Sequence, residues 1–81
     1  MKKIVFSHNI PTEYYQEYTQ GLCVVTPENP MESFSREDAE RAMEDADIFI
    51  CIGDYICDQA LIDKGSRLMI IGNMGSGYDN V

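Results

Sequence analysis

Basic residues are scarce in this 81-residue chain: six Lys and Arg stand against fourteen Asp and Glu, for a formal net charge of −8. Binding a nucleic-acid backbone relies on clustered Lys and Arg that release counterions, so this balance argues against DNA or RNA as a partner. Long apolar runs are missing as well. Lys2 and Lys3 are followed only by Ile4, Val5 and Phe6, too short a run for a signal peptide. No stretch approaches the roughly 20 residues that cross a bilayer. The chain is therefore expected in the cytoplasm and away from membranes. Cys23, Cys51 and Cys57 are odd in number, and with a single distant His8 they do not supply the tightly paired ligands of a zinc site. They read as reduced thiols used as small core side chains. No internal repeat or low-complexity tract is present.

What is there suits a folded domain. With 44% hydrophobic and 25% charged residues, the composition is globular rather than disordered. The length allows one small domain or part of a larger one, because so short a chain buries a limited fraction of its surface.

Four apolar runs, Ile4 to Phe6, Leu22 to Val25, Ile48 to Ile52 and Leu68 to Ile71, are continuous rather than alternating. That pattern predicts parallel strands covered on both faces. Between the first two, Pro11 as an early helical residue, Tyr14 and Tyr18 on one face, and a stop at Gly21 predict a first helix. A second is predicted from Ser35 as cap, Glu37 and Asp38 at the positive end of the dipole, and Ala39, Ala42, Met43 and Ala46 at helical spacing. A third should start at Asp58, bury Ala60 and Leu61 with Ile62 as a further candidate, and stop at Gly65 in a left-handed conformation. Thr26 to Phe34, with Pro27 and Pro30, reads as a loop. The order β-α-β-α-β-α-β predicts a flavodoxin-like α/β fold, with strand order 2-1-3-4 and helices on both faces of the sheet.

Ligands of such sheets sit beyond the carboxyl ends of the strands, here Ser7 to Asn9, Gly53 to Tyr55 and the tail after Ile71. The tail places Gly72, Gly75 and Gly77 directly after a strand, where bare backbone can point N–H groups at an anion. Its spacing is not that of a dinucleotide fingerprint or a P-loop. Every Lys and Arg is expected outside these three loops, so an anion there would rely on backbone donors.

The run from Leu68 to Val81, ending Gly75-Ser76-Gly77-Tyr78-Asp79-Asn80-Val81, resembles the G-x-G-Y-D-N-[VI] segment of D-isomer-specific 2-hydroxyacid dehydrogenases. Asp45-Ala46-Asp47-Ile48 is similar to that family's entry into its third strand. The order of elements matches along the whole chain, and the sharp motif covers the last ten or so residues. The resemblance implies the N-terminal part, residues 1–81, of the substrate-binding domain of a two-domain oxidoreductase. Such an enzyme interconverts a 2-keto acid and a D-2-hydroxy acid by hydride transfer to or from NAD (or NADP). By position, Ser76 and Gly77 match residues whose main-chain N–H groups hold the substrate carboxylate, and Tyr55 falls where some members place a side chain against the substrate. The family's catalytic Arg, His and Glu lie on the nucleotide domain. These 81 residues are therefore expected to bind no NAD and to be inactive alone, and an exposed sheet edge favours a homodimer or other self-association.

Other readings meet obstacles. Ser7 beside His8 suggests a hydrolase pair, but adjacency alone does not set a base on a nucleophile, and loop structure or helix capping by Ser7 or Asn9 is expected instead. Asp54 stands where receiver domains keep their phosphoacceptor, so a stand-alone flavodoxin-like binding module or receiver-type regulator is the alternative. The further carboxylates that hold magnesium in receivers are absent after the first strand. A cysteine-phosphorylated transport module would need a cysteine there. The acidic residues from Glu37 to Asp47 read as a solvated helix face with Arg36 and Arg41 as helical partners. Tyr14, Tyr15 and Tyr18 read as packing against the sheet.

Overall fold

A computed structural model of the chain describes residues 2–30, 32–53 and 55–74. Four strands, β1 (Lys3–Phe6), β2 (Cys23–Val25), β3 (Ile48–Ile52) and β4 (Ile70–Met74), form one all-parallel sheet in the order β2-β1-β3-β4. This is a small flavodoxin-like α/β arrangement. Two α-helices, α1 (Arg36–Met43) and α2 (Gln59–Ile62), connect the strands on one side. Among the described residues no helix is long and apolar enough to cross a membrane.

Successive side chains of a strand point to opposite faces. Val5, Phe49 and Cys51 accordingly pack with Ala39 and Met43 of α1, with Ala46 just beyond it, and with Leu61 of α2. Ile4 and Phe6 pack on the other face with Ile10 and Tyr15, flanked by half-buried Leu22, Ile48, Ile50 and Ile52. Both helices sit over the first face. The second is covered by the segment leading from β1 to β2.

That segment departs from expectation. It forms a single 3-10 turn, Thr12–Tyr14, rather than an α-helix. Tyr14 and Tyr18 are 63% and 79% exposed, and it is Tyr15 that is buried, stacked on Phe6 with ring centroids 4.5 Å apart. A turn this short presents one residue inward. Gly21, expected as the stop of a helix, instead lies well beyond this turn, in a left-handed conformation at φ 83° shortly before β2.

The second predicted helix is present as α1. The Ser35 hydroxyl accepts from the Asp38 N–H at 3.2 Å, satisfying one of the open donors of the first turn. Arg36 pairs with Glu40 at 3.1 Å and Arg41 with Glu37 at 3.3 Å across the solvated face. The third is α2, with the Asp58 carboxylate accepting from Leu61 N–H at 3.0 Å. Leu61 is fully buried, but Ala60 faces solvent. Gly65 does not take a positive φ; its glycine requirement is close packing. A Cβ there would lie 3.0 Å from Leu68 Cβ and 3.1 Å from Met43 Cγ.

The last strand starts later and runs further than the apolar run suggests, pairing Ile70 with Ile48 through to Met74 with Ile52. Gly72 is thus part of the strand, and a Cβ on it would meet Ile50 Cδ1 at 3.1 Å. Asp47, expected on a solvated face, is buried. Its carboxylate accepts from Lys3 N–H at 2.8 Å and its carbonyl from Met69 N–H at 2.8 Å, so it fastens the starts of β1, β3 and β4 together. Cys51 and Cys57 are core or half-buried side chains as expected, whereas Cys23, on the edge strand β2, is exposed.

Candidate functional site

At the carboxyl ends of β1 and β3 lies a cleft of about 380 Å³ lined by His8, Ser33, Phe34, Arg36, Tyr55 and Ile56. Two of the three loops expected to carry chemistry, those after the first and third strands, therefore meet. The tail's Ser76 and Gly77, and Asp54, lie outside the described residues.

Each wall has a local cause. Gly53, at φ 61°, turns the chain sharply after β3, and Tyr55 N–H closes the turn on the Ile52 carbonyl at 3.2 Å. The Tyr55 hydroxyl then donates to the Phe34 carbonyl at 3.0 Å. Its ring lies against Phe49 below, with centroids 6.3 Å apart, and edge-on to His8 at 5.8 Å. Burial pushes the Tyr55 phenol above its ordinary value, against the pull of nearby Arg36. It stays a neutral donor. The loop from Thr26 to Phe34 is folded back onto the end of β1: Ser33 bridges His8, Phe34 N–H donates to the Ser7 carbonyl at 2.9 Å, and Asn9 N–H to the Glu32 carbonyl at 2.8 Å.

Ser7 is fully buried. Its hydroxyl oxygen accepts from Ile52 N–H at 2.8 Å and lies 2.9 Å from Nδ1 of His8. Were Nδ1 the donor, the Ser7 O–H would have no acceptor among the described residues, and an unsatisfied buried donor costs about 1–3 kcal/mol. The favoured arrangement has Ser7 donating to Nδ1, which places the ring proton on Nε2. A hydroxyl sealed from solvent and engaged on both sides is not a nucleophile. The pair is loop structure, as expected, although neither Ser7 nor Asn9 caps a helix; Asn9 ties its side chain to the Pro27 carbonyl at 2.7 Å.

Arg36 lies outside the three loops, as expected, yet it lines the cleft at the carboxyl ends of β1 and β3. It opens α1, and in an α/β sheet the helices that follow strands begin at the carboxyl end, so the predicted Ser35 cap already implied its place. Its guanidinium is bonded to Asp58 at 2.8 Å and Glu40 at 3.1 Å. Those partners raise its own affinity for protons, Asp58 first, and hold the Asp58 carboxyl below its usual range. The cation is thus matched by two carboxylates. Phe34, Ser33 and Ile56 escaped the sequence reading because nothing in their local pattern marks a cleft wall. Beneath the cleft, burial pushes the Cys51 thiol up to about 12 and raises Cys57 as well, so both remain protonated. Among the described residues no group of three or more His, Cys, Asp and Glu could hold a metal ion.

No known family's model matches this chain, and no curated protein sequence matches it.

Proposed function

We propose that this chain is the N-terminal part of the substrate-binding domain of an NAD-dependent D-2-hydroxyacid dehydrogenase, an oxidoreductase acting on a 2-keto acid or D-2-hydroxy acid. One observation carries the reading. The parallel order β2-β1-β3-β4 brings Tyr55 into a cleft at the carboxyl ends of the strands, the end of the sheet at which β4 finishes with Met74, the residue that precedes the Gly75-Ser76-Gly77-Tyr78-Asp79-Asn80-Val81 run in sequence. Ligands of open parallel sheets bind there.

In this reading the main-chain N–H groups of Ser76 and Gly77 hold the substrate carboxylate, and Tyr55 packs against the rest of the substrate. The Arg, His and Glu of hydride transfer belong to a nucleotide domain. The residues described do not fit the dinucleotide: β1 leads into Ser7, His8 and a 3-10 turn, not into a glycine turn feeding a helix N-terminus. No step through NAD is derived for them. The exposed Met69, Ile70 and Ile71 around β4 are consistent with a homodimer or other self-association.

The reading is tested by recording backbone amide spectra of the chain while adding 3-phenylpyruvate. The Ser76 and Gly77 amide signals should move in a saturable way. If they stay put while the acid binds elsewhere or not at all, the dehydrogenase reading fails. NADH added to the same sample should give no binding signal, and micromolar binding would contradict the assignment of the nucleotide site to another domain.

A further inference from the structure

The cleft contains a side chain that the dehydrogenase reading leaves unused. His8 is half-buried, is held at Nδ1 by Ser7, and is braced edge-on against Tyr55. We propose that the cleft is a binding site for a small ligand presenting a carbonyl oxygen on a flat apolar frame, and that the Nε2–H of His8 donates the hydrogen bond to that oxygen. This goes beyond the dehydrogenase reading, whose substrate carboxylate is held at Ser76 and Gly77.

Three features lead to this ligand class. The ring's one remaining polar group is a donor, because Ser7 occupies Nδ1 and is itself fixed by the Ile52 N–H. The fitting partner is an acceptor oxygen. Next, the walls beside His8 are Phe34, Tyr55 and Ile56, which offer two aromatic rings and an exposed aliphatic side chain. With the Tyr55 hydroxyl already donated to Phe34, that wall presents ring rather than polar tip. The cleft, at about 380 Å³, lies at the small end of ligand sites. Last, the charge at the rim does not call for an anion. Arg36 is outnumbered by its partners Asp58 and Glu40, so among the described residues the rim carries no surplus positive charge to draw an anion, and a neutral carbonyl compound suits it better. Base or nucleophile chemistry is not part of the proposal, since the Nδ1 lone pair is engaged and Ser7 is sealed.

The chain has one histidine, so its imidazole gives a single, unambiguous set of NMR signals. At pH 8 the nitrogen shifts should report a bare Nδ1 and a protonated Nε2. Benzamide, which has the carbonyl and the flat frame but no charge, should shift the His8 signals saturably together with those of Tyr55 and Phe34. In His8→Phe, which keeps a flat ring against Tyr55, benzamide affinity read by ligand-observed NMR should fall by up to about tenfold, the weight of one neutral hydrogen bond. A dominant Nδ1–H tautomer, a His8 signal unmoved by benzamide, or equal affinity in His8→Phe would each overturn the proposal. If benzamide moves His8 while 3-phenylpyruvate leaves the Ser76 and Gly77 amides unchanged, this inference stands and the dehydrogenase reading falls. The opposite pattern overturns this inference and leaves the dehydrogenase reading in place.

Discussion

Ser7 holds two things in place through one oxygen. It receives the Ile52 N–H at the last residue of β3 and fixes the ring of His8 at the end of β1. In Ser7→Ala the half-buried Ile52 N–H loses its partner, and stability should drop by about 1 kcal/mol, read as a lower urea midpoint at unchanged slope. An unshifted midpoint would mean that water replaces the hydroxyl. The Ser7–His8 bond itself was not legible in the sequence. Neighbours in a regular strand point to opposite faces, and only the end of β1 at Phe6 lets the next two side chains meet. The reverse holds for Asp58 and Ser35, whose capping roles were readable because a side chain bonding its own next turn is a local event.

Helix α1 was readable as a whole because cap, dipole charges and small inward residues agree along eight residues. The stretch after Pro11 was not. One 3-10 turn has no repeat from which a face can be inferred, and isolated short helices are marginal whatever their propensity. Its inward tyrosine is chosen by the Phe6 ring on the sheet, a contact made across the fold. Helix α2 is shorter still, and its packing against α1 depends on how closely the following turn approaches Met43. Gly65 sets that approach. In Gly65→Ala the new methyl meets Leu68 Cβ at 3.0 Å and the Met43 side chain at 3.1 and 3.2 Å. Leu68 Cβ is fixed to the backbone, and the fully buried Met43 side chain can give way only by repacking. A loss of roughly 1–3 kcal/mol is expected from this overpacking. Gly21→Ala has open space around it, and its cost of about 1–2 kcal/mol comes from the left-handed backbone alone. Adding Met43→Ala should therefore partly relieve Gly65→Ala, by making room, and leave Gly21→Ala unaffected. Strictly additive losses in a double-mutant cycle would dissociate Gly65 from the helix contact.

At the scale of the molecule, the parallel sheet order follows from apolar runs joined by crossover connections, which is why it was legible without any contact being known. The pH range over which that sheet survives is written in contacts the sequence did not reveal. Three carboxyls are held below their ordinary values: Asp47 chiefly by the Lys3 N–H, Asp45 by the Lys3 ammonium, and Asp58 by Arg36. A depressed folded value contributes stability that is present above the unfolded value, near 3.9 for Asp, and is lost as pH falls through the folded one. On the other side, burial raises Cys51, Cys57 and Tyr55. Their contribution is intact below the unfolded thiol value, near 8.5, and disappears as pH climbs toward the folded value of about 12 for Cys51. The urea midpoint should accordingly be flat through the neutral range and fall at both ends. The net charge of −8 works against the compact state at neutral pH, and its relief on mild acidification delays the acid decline until the pH is below the ordinary carboxylate value. Asp47 separates these contributions, because it is the one buried carboxylate of the three and touches the starts of three strands. Asp47→Asn keeps the shape and removes the titration. It should lower the neutral plateau and make the acid limb shallower, since the folded state no longer has to protonate that group. An acid limb as steep in the variant as in the parent would assign acid unfolding to general charge accumulation rather than to the clasp at the amino ends of β1, β3 and β4.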